Sequence, residues 1–251
     1  MLPPAMPLFR VRAGGARGCI VVLVLLVLVA FLLGGFGARF AWRAARPLMK
    51  PAGFNEALSK LGLIPEMRAV PGDASRFDPI ASYAAVRDLA GPGAQLVSMN
   101  VRFVRSDGTL DLKAAYQPGP GADYSFVREV PRPATAPPPG AGGGAGPWYE
   151  PVQVRVFEPG RRVTRTVNGS RSSFENTGML RDPGTPTLNA DKPIADPTCS
   201  MAALWKLATA GRAVPADAVA SVRYQADGYS FTIADLKISA AFGPDCVRRK
   251  R

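Results

Sequence analysis

Histidine is missing altogether from the 251 residues of this chain. That single absence removes Ser-His-Asp and Cys-His nucleophile arrangements, HExxH zinc sites and histidine proton shuttles. Three cysteines are present, Cys19, Cys199 and Cys246, with no CxxC pair among them. Neither a GxGxxG run after a strand, a GxxxxGKS/T loop, a GxSxG elbow nor a DxDxDG-like calcium loop occurs. Asp107 and Asp227 are acids at matching turns of two similar segments, and each stands beside a glycine. Their expected role is to satisfy the backbone of a turn. Arg155, Arg161 and Arg165 form a modest basic strip, which a solvated strand face and an anionic ligand explain equally well. No residue is assigned a catalytic, cofactor-binding or metal-ligating role, and no cofactor is expected. A histidine-free enzyme working through carboxylates that meet only in space is the alternative to a binding module.

The net charge of +12 invites a nucleic-acid reading until it is located along the chain. Residues 1–50 hold seven basic residues and no acid, and Arg248, Arg249, Lys250 and Arg251 close the sequence. What lies between carries 20 basic residues against 19 acidic ones and is nearly neutral. A nucleic-acid-binding body would need its own basic surface to meet phosphates, so no nucleic acid is expected as a partner.

From Gly18 to Ala38 the chain runs 21 residues without a charge. At about 1.5 Å per helical residue this matches the roughly 30 Å of a bilayer core, so a single transmembrane helix is expected over 18–38, with the lipid bilayer as partner. Arg17 and Arg39 bracket the stretch, and Trp42 and Arg43 follow where interfacial anchors belong. Signal-peptide cores are shorter, roughly 7–15 residues, and end at a small-x-small site, so an uncleaved anchor is the expectation. Arginines flank both ends, so charge alone does not orient the helix. A short tail over 1–17 is easily left in the cytoplasm while the larger part crosses. Cys199 and Cys246, a candidate disulfide, suit an oxidising compartment. The expected arrangement is therefore a cytoplasmic N-terminus and an extracytoplasmic body meeting an envelope protein or cell-wall partner. A body that stays on the cytoplasmic side is the other arrangement.

The elements positioning these residues read as a weak internal duplication. Asp78-Pro79 opens a predicted helix through Ala90 that Gly91-Pro92-Gly93 stops, and Asp196-Pro197 opens another through Ala208. Each is followed by a hairpin pattern. Leu96–Val104 and Thr109–Tyr116 flank Ser106-Asp107-Gly108, while Val219–Tyr224 and Tyr229–Ile233 flank Ala226-Asp227-Gly228. Two αββ-like units are thus expected, at 76–130 and 196–247. Between them lie a Pro/Gly linker over 131–147 and a central hairpin with an irregular loop over 148–195, pairing Val152–Phe157 with Arg161–Val167. A juxtamembrane segment over 39–75 carries a short amphipathic helix from Phe54 to Gly62, and 248–251 is a basic tail. The fold class is α+β: one N-terminal transmembrane helix, then an antiparallel-sheet body of two αββ-like units and an extra central hairpin.

Overall fold

Alternating apolar residues in strands of three to ten residues, with two short amphipathic helices, build a mostly antiparallel sheet body. The computed structural model describes residues 65–134, 136, 146–167 and 170–249. All of them fall within one unit spanning Phe54–Arg251. The expected membrane helix over 18–38, its anchors Arg17, Arg39, Trp42 and Arg43, and the Phe54–Gly62 helix lie outside the described residues. Among the described residues, no helix is long and apolar enough to cross a membrane.

The chain order is β1 (Met67–Ala69), α1 (Tyr83–Ala90), β2 (Gln95–Val104), β3 (Gly121–Val130), β4 (Trp148–Val156), β5 (Arg162–Val167), β6 (Ser170–Glu175), β7 (Gly178–Pro183), α2 (Met201–Ala208), β8 (Ala220–Gln225), β9 (Gly228–Ile233) and β10 (Ile238–Phe242). Eight strands join in the order β1-β7-β4-β3-β2-β8-β9-β10, while β5 and β6 pair separately. Central β2 and β8 run antiparallel. The elements beside them therefore correspond, α1, β2, β3 and β4 on one side and α2, β8, β9 and β10 on the other.

One sheet face is apolar because every second strand residue is. Ala122, Tyr124 and Phe126 of β3, Val152, Val154 and Val156 of β4, and Tyr229, Phe231 and Ile233 of β9 are all buried. In β2 the buried residues Leu96, Met99 and Val104 break strict alternation, and bulge-like register shifts fall at Leu96/Ser98 and Val101/Val104. Phe103 takes a positive φ of 62° there and stacks its ring on Tyr116, centroids 4.5 Å apart.

Both helices join this face. Val86, Leu89 and Ala90 of α1 and Met201, Leu204, Trp205 and Ala208 of α2 enter the same core, and each large side chain contributes about 2 kcal/mol by leaving water. Trp205 meets Phe231 edge to face at 5.5 Å. Asp78 does start the first helical segment, its Oδ1 accepting from the Ile80 and Ala81 amides at 2.8 and 3.0 Å, although regular α1 begins only at Tyr83. The second helix begins later than the sequence suggests. Its cap is Ser200, whose Oγ accepts from the Ala203 amide at 3.2 Å. Asp196 is diverted to accept from the Tyr83 hydroxyl (2.7 Å) and Arg87 (2.6 Å), tying the start of the second segment to α1.

The β8–β9 hairpin forms where expected, joined through Ala226-Asp227. Gly228 has a φ of +104°, and a Cβ there would stand 2.1 Å from the Phe242 carbonyl oxygen, so glycine is required both by conformation and by the approach of β10. The first hairpin differs from expectation. The Asp107-Gly108 turn exists, but Thr109–Tyr116 is not a strand, and β2 pairs instead with β3. Leu110 and Leu112 do alternate and are buried, yet Leu110 exchanges backbone hydrogen bonds with Phe77 at 2.9 and 2.8 Å. The place beside β2 goes to the longer β3, which buries Tyr124 and Phe126.

The central hairpin is also re-partnered. β4 pairs with β3 and β7, and β5 pairs with β6, so Val152–Phe157 and Arg161–Val167 are not neighbours in a hairpin. The stretch expected to be irregular contributes β6 and β7. Val130 stands opposite Trp148, so the Pro/Gly stretch over 131–147 connects two adjacent strands.

Near the end of α1, Glu150 Oε2 accepts from Arg128 Nε at 2.6 Å and from the Arg181 guanidinium at 3.2 Å, and all three side chains are at most a quarter exposed. Arg181 Nε also donates to the Ala90 carbonyl at 3.3 Å, a cation at a helix C-terminus. At the far side of the sheet, the sulfurs of Cys199 and Cys246 lie at disulfide distance with Cα atoms 5.6 Å apart. Beyond β10 the chain hooks back, Gly243 donating to the Val247 carbonyl and Arg249 to the Ala241 carbonyl, both at 2.8 Å.

Candidate functional site

The sheet face opposite the helices is polar. Register alone sets a row across it, because paired residues of neighbouring antiparallel strands project to the same side. Leu180 of β7, Arg155 of β4, Asp123 of β3, Asn100 of β2, Arg223 of β8 and Ser230 of β9 stand opposite one another in turn. Two rungs along β2, Arg102 faces Gly121, and its guanidinium lies 3.3 Å from Asp123. Arg155 donates to Asp182 at 3.0 Å.

The β5–β6 hairpin belongs to this side of the sheet. Phe174 packs with Leu180 and Met67, and Phe157 and Val163 close a second small apolar cluster. Asn176, only 2% exposed, clamps the base of the hairpin. Its Nδ2 donates to the carbonyls of Glu158 (2.9 Å) and Arg161 (2.6 Å), and its Oδ1 accepts from the Gly178 amide at 2.7 Å. That triple bonding fixes the backbone of Arg161 relative to β7.

Between hairpin and sheet runs an open groove of roughly 490 Å³. Arg102 and Asp123 form its floor with Arg155, Arg161 and Arg162 line its hairpin side, and Gln117–Pro120 make the opposite wall. Arg102 Nε is buried without a hydrogen-bond partner. Arg161 and Arg162 are exposed, and neither forms an ion pair with a described residue. Elsewhere Arg68, Arg76, Arg87, Arg105, Arg128 and Arg181 each find a carboxylate. The groove thus gathers four guanidinium groups, two of them without a carboxylate among the described residues, in forks suited to carboxylate or phosphate oxygens.

Of the sequence candidates, Arg155 and Arg161 are brought together here, though on segments that do not pair. Arg165 stands on β5 opposite Ser172. Arg102, Arg162 and Asn176 were not singled out by the sequence. An Asn two residues before a glycine, in Asn176-Thr177-Gly178, was the available signal for the clamp. Asp107 serves its turn, accepting from the Thr109 amide (3.0 Å) and hydroxyl (2.7 Å). Partial burial pushes its pKa up, but these bonds and the charges of Arg76 and Arg105 outweigh that and hold it below the usual carboxylate range. Asp227 is exposed on the β8–β9 turn. Among the described residues, no three His, Cys, Asp or Glu side chains gather closely enough to hold a metal ion.

A second hollow lies beside α1, lined by Tyr83, Arg87 and Asp196. Burial, then the hydrogen bond to Asp196 and its charge, push the Tyr83 phenol well above its ordinary pKa. The three groups satisfy one another and bind the two helical segments together, which is a structural role.

No protein-family model matches the chain, no curated protein matches its sequence and no solved structure matches its fold.

Proposed function

We propose that this chain is a single-pass, membrane-tethered interaction module. Residues 18–38 anchor it, and two αββ-like units with an added hairpin form a body held outside the cytosol. The observation that carries this reading is the Cys199–Cys246 pair at disulfide distance, on a chain that also has 21 uncharged residues near its start. Such bonds persist where thiols are not kept reduced, and the apolar stretch is long enough to hold the chain at a bilayer. The polar sheet face, with its row from Arg155 to Ser230, is the recognition surface, and an envelope protein or cell-wall component is its partner. The near-neutral body argues against nucleic acid.

A C-terminal fusion to a reporter enzyme active only outside the cytosol tests the orientation. Activity in the fusion, with the protein retained in the membrane fraction after carbonate washing, is the expected result. A silent reporter, or a protein washed free, overturns the proposal.

A further inference from the structure

We propose that the groove between the β5–β6 hairpin and the sheet is a binding site for a ligand bearing a phosphate-monoester-type dianion. The inference rests on reading the body as a binding module, but not on the compartment it occupies. Four guanidinium groups, Arg102, Arg155, Arg161 and Arg162, face one cavity. Two carboxylates answer them, Asp123 at 3.3 Å from Arg102 and Asp182 at 3.0 Å from Arg155. Glu175 also stands opposite Arg162 in the hairpin, and guanidinium still outnumbers carboxylate around the cavity, leaving a positive excess that an anionic ligand compensates. Arginine forks also offer paired N–H groups that match phosphate oxygens bidentately, with lower hydration cost than lysine.

Three features distinguish the groove from a solvated strand face. Arg102 Nε is shielded from water yet bonded to nothing, which is costly for a charged group unless a ligand supplies an acceptor. Arg161 and Arg162 stand side by side at the cavity without an ion pair to a described residue, whereas Arg68, Arg76, Arg87, Arg105, Arg128 and Arg181 each have a carboxylate. Their support is rigid, since Asn176 bonds the Arg161 carbonyl at 2.6 Å and Phe174 and Val163 anchor the hairpin on Leu180. Arg102 and Arg155 sit on β2 and β4, flanking β3, whose nine pairs with β4 form the longest ladder of the sheet. A preorganised cluster on rigid strands loses little entropy on binding. At roughly 490 Å³ the cavity accommodates a phosphorylated small molecule or a phosphorylated lipid headgroup.

The test uses the full chain in neutral detergent micelles, titrated calorimetrically with inorganic pyrophosphate and with dibutyryl phosphatidic acid. Saturable binding of at least one probe is expected, tighter for pyrophosphate if a free phosphate compound is the source and tighter for phosphatidic acid if a lipid is. Arg161→Gln/Arg162→Gln should weaken it at least about tenfold, because two charge-assisted contacts are lost. Lys206→Gln/Arg212→Gln, which removes the same charge at the exposed end of α2, should leave the affinity within about twofold. Asp123→Asn, which adds one net positive charge to the groove, should tighten binding several-fold. Thermal transitions confirm that each variant is folded. Absence of saturable heat with both probes, equal loss in the two double variants, or weaker binding by Asp123→Asn overturns the proposal. A silent topology reporter with intact phosphate binding would sink only the export reading, and the converse result only the groove.

Discussion

Breaking the link between Cys199 and Cys246 is the most informative perturbation of the body. The two cysteines are 47 residues apart, and cross-linking so long a segment lowers the entropy of the unfolded chain by an amount worth about 4 kcal/mol at 25 °C. In the folded state the link joins the residue preceding the Ser200 cap of α2 to the tail that hooks along β10. Cys246 has a positive φ of 67°, so Cys246→Ser is the appropriate change because glycine would also relieve the backbone. Trp205, buried against Phe231, reports global unfolding by fluorescence. The variant should lose about 4 kcal/mol in urea titration, or on the order of 10 °C in Tm for a body of this size. Reduction of the wild type with dithiothreitol should reproduce that loss and leave the variant unchanged. If Cys246→Ser moves the transition by less than about 1 kcal/mol, the loop-constraint reasoning is wrong.

Alkaline pH supplies a second test. Burial is the largest cause holding the Tyr83, Tyr124, Tyr224 and Tyr229 phenols above their ordinary pKa. A folded pKa above the unfolded one stabilises fully below the unfolded value, about 10, and that contribution falls as pH rises past it. Urea midpoints should be level from pH 8 to about 9.5 and decline above about 10, and a flat profile to pH 11 would contradict the assignment. Glu150→Ala should cost about 2–3 kcal/mol, since it leaves Arg128 and Arg181 facing each other three-quarters or more buried, while Glu150→Gln should cost less. A urea midpoint for Glu150→Ala within about 0.5 kcal/mol of wild type would show that water, not Glu150, neutralises the pair.

Local features of the sequence foretold local structure. The alternation of Val222 and Tyr224 with Phe231 and Ile233 around Asp227-Gly228 placed β8 and β9, and both helical segments were visible from their Asp-Pro starts, although regular helix begins later in each. The antiparallel character of the body follows from the same period of two. Strand order was not legible, because alternation says which face a residue takes and not which strand it lies beside. Thr109–Tyr116 carries as good a pattern as β3, and only competition for the edge of β2 separates them. The groove was half visible for the same reason. Arg155 and Arg161 could be read from their own segments, but Arg102 joins them through β3 standing between β2 and β4, and Arg162 through the hairpin folding back over Leu180. Asn176 looked like an ordinary turn residue, since its three hydrogen bonds depend on the carbonyls of Glu158 and Arg161 arriving beside it.

The way the sheet finishes governs how copies of this protein behave in a crowd. β1, at one margin, offers only three residues, and at the other the stretch from Gly243 to Arg249 lies back along β10 and occupies its Ala241 carbonyl. A bare margin of five or six residues would be a template onto which a neighbour's strand could grow, the first step toward fibres. Here the segment from Gly243 to Arg249 covers the last part of that margin, at Ala241 and Phe242. A truncation after Phe242 would remove this cover together with the Cys199–Cys246 link, and leave a sticky, propagating border.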